Sequence, residues 1–225
     1  MSARSSLVFA LTAVLLGACA ATAPRLTTNK QQISYMIGYR IGQNLKNQNM
    51  DIDPRALLQA VEDAQSGRPE RLSSAQMKAA VAAYQHERES EYTALAQKNL
   101  VAGTKFLAEN AKKPGVITLA SGLEYRVITE GKGRRPKITD TIVANYRGRL
   151  IDGTEFDSSY KRGAPATFRL SGVIRGWQQA LQLMPVGSTW RIYVPADLAY
   201  GPGGAGSVVG PNETLIFDIE LLQIR

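Results

Sequence analysis

Residues 141–159 read TIVANYRGRLIDGTEFDSS, and this stretch says most about the fold. Its first part, Thr141–Ile151, has the pattern of a β-strand, and the two-residue period typical of strands begins earlier, after Pro114. The other predicted strands cover residues 123–127, 167–170, 188–194 and 215–221. A short helix is predicted only at Gly176–Met184. We therefore predict that residues 114–225 form an α+β module, a curved antiparallel sheet packed on one short helix.

The residues upstream of this module have a helical period. From Thr28 to about Lys113, apolar side chains recur every 3.6 positions. One ridge with i, i+4 spacing consists of Ile33, Ile37, Ile41 and Leu45. Gly38 and Gly42 lie along it and allow a second backbone to approach closely. Asp53 followed by Pro54 predicts the start of a second short helix.

Two short helices and part of a third bury little apolar surface by themselves. We expect residues 28–73 to form an all-α dimerisation domain through the apolar ridge. The alternative is that the ridge forms a core within one chain.

A long connecting helix is predicted for residues 74–113. Ser73 and Gln76 form a capping-box pattern at its start, and no Gly or Pro follows until Gly103. Its length would be on the order of 50 Å. Its middle, residues 87–92, is polar nearly all round, so we expect it to bridge to another body instead of packing on its own domain. The only histidine, His86, is expected at the surface of this helix.

The amino terminus has the features of a secretory signal. A basic start is followed by an apolar stretch from Leu7 to Leu16, too short to remain as a membrane-spanning helix. Gly17 and Ala18 then precede Cys19, the only cysteine of the chain. This end resembles a bacterial lipobox, which predicts removal of residues 1–18 and acylation of Cys19. An ordinary signal cleaved after about Ala20 is the alternative.

Charge and motif patterns argue against several other functions. The net charge of +8 is spread evenly, with 13 basic and 9 acidic residues in 20–113 and 13 and 10 in 114–225. A nucleic-acid groove would show a dense basic stripe, so no nucleic-acid partner is expected. The tightest basic cluster, residues 132–137, has the composition of a solvated turn. A lone cysteine excludes an intrachain disulfide and a cysteine-based metal or redox pair. Residues 201–206 match G-x-G-x-x-G, but a strand follows instead of the helix that phosphate binding requires.

Five segments of the module carry a more specific signal. They are Val143–Gly148, Gly153–Ser159, Val173–Trp177, Ala199–Gly201 and Pro211–Leu222. Their order and spacing resemble the FKBP-type peptidyl-prolyl cis/trans isomerases. The helical half, notably Ile33–Gly38 and Asp51–Pro54, resembles the dimerisation region of the macrophage infectivity potentiator group. The resemblance covers nearly the whole chain after the signal.

This resemblance implies a set of site residues. The implied catalytic residues are Asp157, Tyr200, Phe156 and Tyr146. The implied substrate-binding residues are Trp177, Val173, Ile174, Phe217, Arg162, Phe168 and Val209. The Ile174 amide and the Tyr200 hydroxyl would donate to substrate carbonyls. Asp157 would either add polarity near the twisting carbonyl or organise Tyr146 and Arg162.

Some positions depart from the family pattern. Asn145 stands where histidine is frequent, Ala166 where some members have an aromatic, and Val208 and Val209 where bulkier branched pairs are common. The segment of residues 203–207 consists of unusually small side chains. These departures concern peptide preference and leave the predicted fold unchanged.

The implied reaction is rotation about an X-Pro bond in extracytoplasmic protein folding, with a chaperone activity alongside. The bond rotates without bond making or breaking, so no metal or cofactor is expected. The implied partners are proline-containing polypeptides, a second copy of the chain, macrolide inhibitors of the family and, through the lipid anchor, a membrane. The implied location is the cell envelope, as an outer-membrane lipoprotein facing the periplasm or the cell surface. Two other hypotheses are a prolyl-binding module without turnover and a structural or adhesive lipoprotein.

Overall fold

The structure is a computed structural model that describes residues 25–48 and 50–225. Cys19 and the predicted signal lie outside the described residues. The described chain up to Glu62 forms one compact unit, and Asp63–Arg225 forms a second.

Two helices begin the described chain: α1 spans Asn29–Asn47 and α2 spans Pro54–Gln65. A capping box of Thr28 with Gln31 starts α1. The predicted Asp53 cap starts α2, because its carboxylate accepts the Arg55 N–H at 2.8 Å.

Helix α1 has no buried residue in this chain. Ile33, Ile37 and Ile41 of the apolar ridge are 55%, 51% and 40% exposed. A Cβ placed on Gly38 or Gly42 would meet no atom within 4 Å. The alternative of an intrachain core along this ridge is therefore wrong for the described chain.

Helix α3 spans Ser74–Asn110, and its 37 residues begin at the predicted Ser73–Gln76 capping box. His86 is exposed on it, as predicted. The expectation that this helix does not pack on its own domain is wrong for its second half. Gly103 and Asn110 are buried there, and the Phe106 ring lies 6.0 Å from that of Tyr193. Polarity around the middle of the helix did not predict this, because the contacts with the module begin at Tyr92, inside that polar stretch.

Seven strands form one antiparallel sheet in the module. They are β1 (Val116–Thr118), β2 (Glu124–Thr129), β3 (Thr141–Leu150), β4 (Glu155–Ser158), β5 (Ala166–Arg169), β6 (Thr189–Val194) and β7 (Leu215–Ile224). The order is β1-β2-β6-β7-β3-β4, and β5 also pairs with β3. The predicted strands are all present, and most of their ends lie within one or two residues of the predicted ends. Strands β1 and β4 were not predicted. The basic cluster lies in the irregular loop between β2 and β3, as predicted.

The short helix α4 (Arg175–Leu183) covers one face of the sheet. Alternate residues of β3 are buried against it, as the two-residue period requires. Gly176 permits close contact, because a Cβ there would lie 2.4 Å from Cγ1 of Val194. The predicted α+β architecture is confirmed, and α4 brings Trp177 to the centre of the sheet.

Candidate functional site

A cleft of about 250 Å³ opens between the sheet and α4. Its lining residues are Tyr146, Phe156, Asp157, Phe168, Gly172, Val173, Ile174, Trp177, Tyr200 and Phe217. Nine of these ten were predicted from the sequence. The tenth, Gly172, directly precedes the predicted Val173–Ile174 pair, and this adjacency was the only available signal for it.

Trp177 forms the floor of this cleft and is 4% exposed. Three rings meet it edge-on at centroid distances of 5.2, 5.6 and 5.3 Å, those of Tyr146, Phe168 and Phe217. Edge-to-face geometry is the favoured arrangement of aromatic pairs. The result is a rigid apolar slot whose walls hold each other in place.

A glycine on β3 makes room for two of the walls. A Cβ on Gly148 would lie 2.7 Å from Cζ of Phe156 and 2.8 Å from Cε1 of Phe217. These two rings also contact each other edge-on at 5.6 Å. Any side chain at position 148 would displace the slot walls, so the strand must have glycine here.

A hydrogen-bonded group of three side chains lies at the rim. The Tyr146 hydroxyl donates to Oδ2 of Asp157 at 2.5 Å. Arg162 donates to Oδ1 of Asp157 and, at 2.6 Å, to the Tyr146 hydroxyl oxygen. Its guanidinium also lies over the Tyr146 ring, 5.3 Å from the centroid. Arg162 does not line the cleft itself but fixes two residues that do.

The ionisation of this group follows from its contacts. Burial raises the pKa of Asp157, but the hydrogen bonds from Tyr146 and Arg162 outweigh it and hold that pKa below its ordinary value. Burial, followed by the hydrogen bond to Asp157, raises the pKa of the Tyr146 phenol. At neutral pH the rim therefore has a carboxylate and a protonated phenol.

Two hydrogen-bond donors at the cleft have no partner within the described part of the chain. They are the backbone N–H of Ile174, the residue before α4, and the hydroxyl of Tyr200. Tyr200 is 42% exposed, and burial raises its pKa, followed by the effect of the Asp157 charge. The hydroxyl therefore keeps its proton and can donate to a bound carbonyl.

The structure does not place two of the predicted site residues, Arg162 and Val209, in the cleft lining. Val209 is 6% exposed, belongs to the hydrophobic core and pairs with Ala205 across a backbone bridge. The glycine-rich segment around it is followed by β7, so the match to a dinucleotide-binding motif is not followed by the helix that phosphate binding requires.

Residues 25–48 and 50–225 contain no cluster of three or more His, Cys, Asp or Glu side chains arranged to hold a metal ion. None of their helices is both long enough and apolar enough to span a membrane.

Comparisons with known proteins found matching domain families, similar sequences and a similar solved structure. Residues 30–127 match the domain described as amino terminal to FKBP-type peptidyl-prolyl isomerase, and residues 132–222 match the FKBP-type peptidyl-prolyl cis-trans isomerase domain. The outer membrane protein MIP of Legionella longbeachae is 47% identical over 96% of this chain and 97% of its own length. The peptidyl-prolyl cis-trans isomerase Mip of Coxiella burnetii is 41% identical over 99% and 98%. The crystal structure of FkpA from Escherichia coli has a TM-score of 0.63 at 35% identity, covering 89% of this chain and 99% of that one.

Proposed function

The chain belongs to the FKBP-type peptidyl-prolyl cis-trans isomerases, and we propose that its active site is the aromatic cleft around Trp177. The observation that carries this proposal is the contact of three aromatic rings with Trp177. The same cleft has two hydrogen-bond donors without a partner in the described chain, the Ile174 N–H and the Tyr200 hydroxyl. A proline ring is compact and apolar, so a slot of about 250 Å³ suits it.

Catalysis in this cleft requires no covalent step. Rotation of an X-Pro amide takes tens to hundreds of seconds unaided, because it disrupts the amide resonance. The twisted amide is less polar than the planar amide, so a dry aromatic slot favours the transition state over the ground state. The Ile174 N–H and the Tyr200 hydroxyl would hold the carbonyls on either side of the proline.

The contacts of Asp157 support one of its two suggested roles. Both of its oxygens accept hydrogen bonds, one from Tyr146 and the other from Arg162. We propose that Asp157 mainly organises these two side chains and so fixes the Tyr146 wall of the slot. Direct polarisation of the twisting carbonyl would be a secondary effect.

We propose that residues 28–73 form a dimerisation domain, residues 74–113 a connecting helix and residues 114–225 the isomerase module. The exposed ridge on α1 supports the first part, because so many exposed apolar side chains on one helix mark an interaction surface. An open groove beside the ridge is lined by Gly38, Gly42 and Leu57, among others, and can receive a second α1. Static light scattering on residues 20–225 tests this, and a monomer at micromolar concentration would refute the interface.

We propose that Cys19 is acylated and anchors the protein in the cell envelope, as an outer-membrane lipoprotein that assists extracytoplasmic folding. The lipobox-like sequence supports the anchor, and the printed name of the Legionella relative supports the outer membrane. The mature protein should partition into detergent, and Cys19→Ala should release it or leave it unprocessed. An unmodified mature terminus at Ala21 in mass spectrometry would contradict the anchor.

A protease-coupled assay on a prolyl tetrapeptide tests the active site. Trp177→Ala, Phe156→Ala and Tyr200→Ala should each lose most of the activity, whereas Ser90→Ala on exposed α3 should keep it. Removing a buried aromatic costs about 3 to 5 kcal/mol, so circular dichroism must show that each variant is folded. Inhibition by a macrolide ligand of the family would support the same cleft. Full turnover by all three folded variants would remove the assignment.

A further inference from the structure

The second half of α3 has a stripe of residues that docks on the isomerase module. The stripe consists of Tyr92, Ala96, Asn99, Gly103, Phe106 and Asn110. Alternating steps of four and three place these residues on one face of a helix. Gly103 sets the closeness of the contact, because a Cβ there would lie 2.2 Å from Oγ1 of Thr214. Asn110 closes the stripe, donating at 2.7 Å to the buried Glu124 carboxylate.

The first half of the stripe contacts the flap, which consists of residues 200–214. The Tyr92 hydroxyl donates to the Pro202 carbonyl at 2.5 Å, and the Asn99 amide donates to the Pro211 carbonyl at 2.9 Å. In the reverse direction, the Asn212 amide donates to the carbonyl of Ala96 at 3.4 Å. Three hydrogen bonds thus connect the helix to both ends of the flap.

Beyond the contact of Gly103 with Thr214 at the end of the flap, close packing does not replace these hydrogen bonds. A cavity of about 270 Å³ lies between the helix and the flap, lined by Leu100, Thr104, Pro202 and Asn212, among others. This cavity is partly open, so its lining groups on the helix and on the flap do not pack against each other there, and the dispersion attraction between them is weak. The position of the flap on this side therefore depends largely on the hydrogen bonds from α3.

The backbone of the flap is suited to more than one position. Gly201, Gly204 and Gly206 have positive φ angles of 58°, 62° and 60°. Glycine loses more conformational freedom than other residues when it is fixed, so such a segment is held only by its contacts. The opposite side of the flap faces the cleft with Tyr200 and contacts the core with Val209.

We propose that Tyr92 and Asn99 are positioning residues for prolyl isomerisation, which hold the flap from behind so that the Tyr200 hydroxyl stays over the cleft. The inference rests on the proposed function of that cleft. It makes the second half of α3 part of the catalytic unit, although it precedes the first strand. The residues act through Tyr200 and contact no substrate themselves.

The experiment uses the full mature chain with Tyr92→Phe, Asn99→Ala and the double variant. Mass spectrometry measures the rate of hydrogen exchange in the flap. There the Asn212 N–H donates to the Gly201 carbonyl at 2.8 Å. We expect the double variant to exchange at least about fivefold faster in the flap, with β3 unchanged. The KM for a prolyl peptide should rise about three- to tenfold while kcat stays within about twofold, because a donor to a carbonyl in both states contributes uniform binding.

The matched control is Gln97→Ala, an exposed residue of the same helix outside the stripe, which should change neither quantity. Asn212→Gly provides a second route, because it removes the amide but tolerates the positive φ of 54° at that position. It should reproduce the faster flap exchange. Unchanged flap exchange and KM in the folded double variant would overturn the proposal. An inactive wild-type chain would instead remove the function proposed for the cleft, while the exchange result would still test the support of the flap.

Discussion

The requirement for glycine at position 148 gives a sharp test of the cleft. Gly148→Ala places a Cβ at 2.7 Å from the Phe156 ring and 2.8 Å from the Phe217 ring. Ordinary carbon contacts begin near 3.5 Å, so the two rings must retreat by about 0.7 to 0.8 Å. Overpacking of this size costs about 1 to 3 kcal/mol, which leaves the module folded.

The effect on catalysis should exceed the effect on stability. Displacing the walls of a preorganised site by about 1 Å can lower rates by about 100-fold, so we expect kcat/KM of Gly148→Ala to fall 10- to 100-fold. The matched control is Gly133→Ala, whose Cβ would lie 2.6 Å from Cβ of Val186, outside the cleft lining. It should lose stability but not activity per folded molecule.

The assay is peptide turnover combined with urea unfolding of both variants. Gly148→Ala with wild-type kcat/KM at full folding would refute the reasoning, because the slot walls would then be irrelevant to catalysis. Equal losses of activity per folded molecule in both variants would also contradict it, since only one substitution displaces the rings.

Three further predictions follow from individual side chains. Tyr200→Phe removes a free donor and should lower kcat/KM about tenfold with no change in the unfolding midpoint measured in urea. Because the pKa of Asp157 is lowered, the rate of the wild type should be constant from pH 6 to 8 and fall only below about pH 4. Asp157→Asn should not show this fall in acid. Burial raises the pKa of Glu124, so its contribution to stability is present below about pH 4.3 and is lost as pH rises through the folded-state pKa. In thermal unfolding, Glu124→Gln should therefore be more stable than wild type at pH 7 and equal to it in acid, and the exposed Glu109→Gln should show no such difference.

The cleft residues could be predicted because they lie in short segments that resemble those of a known family. Val173 and Ile174 directly precede α4, which carries Trp177, and Tyr146 and Phe156 lie on consecutive strands. The resemblance of these segments, and not the spacing of any one pair, identified the set. Val209 followed the same pattern, but its side chain is buried in the core, because orientation within the flap depends on tertiary contacts.

The docking of α3 could not be predicted in the same way. Its key contact joins Gly103 to Thr214, which is 111 positions later in the chain. A stripe in which small and polar residues separate two aromatic side chains has a weak hydrophobic pattern, and helix periodicity detects apolar faces. The α1 ridge shows the opposite case, because its pattern was clear but the described chain contains nothing that covers it.

Magnetisation-exchange NMR on a Phe-Pro peptide tests the central claim most directly, because it measures cis/trans interconversion without a coupled protease. With catalytic amounts of the wild-type chain, exchange between cis and trans signals should appear within a second, against tens of seconds unaided. Folded Trp177→Ala should show almost no such exchange. Absence of exchange with the folded wild type, or equal exchange with Trp177→Ala, would contradict the account.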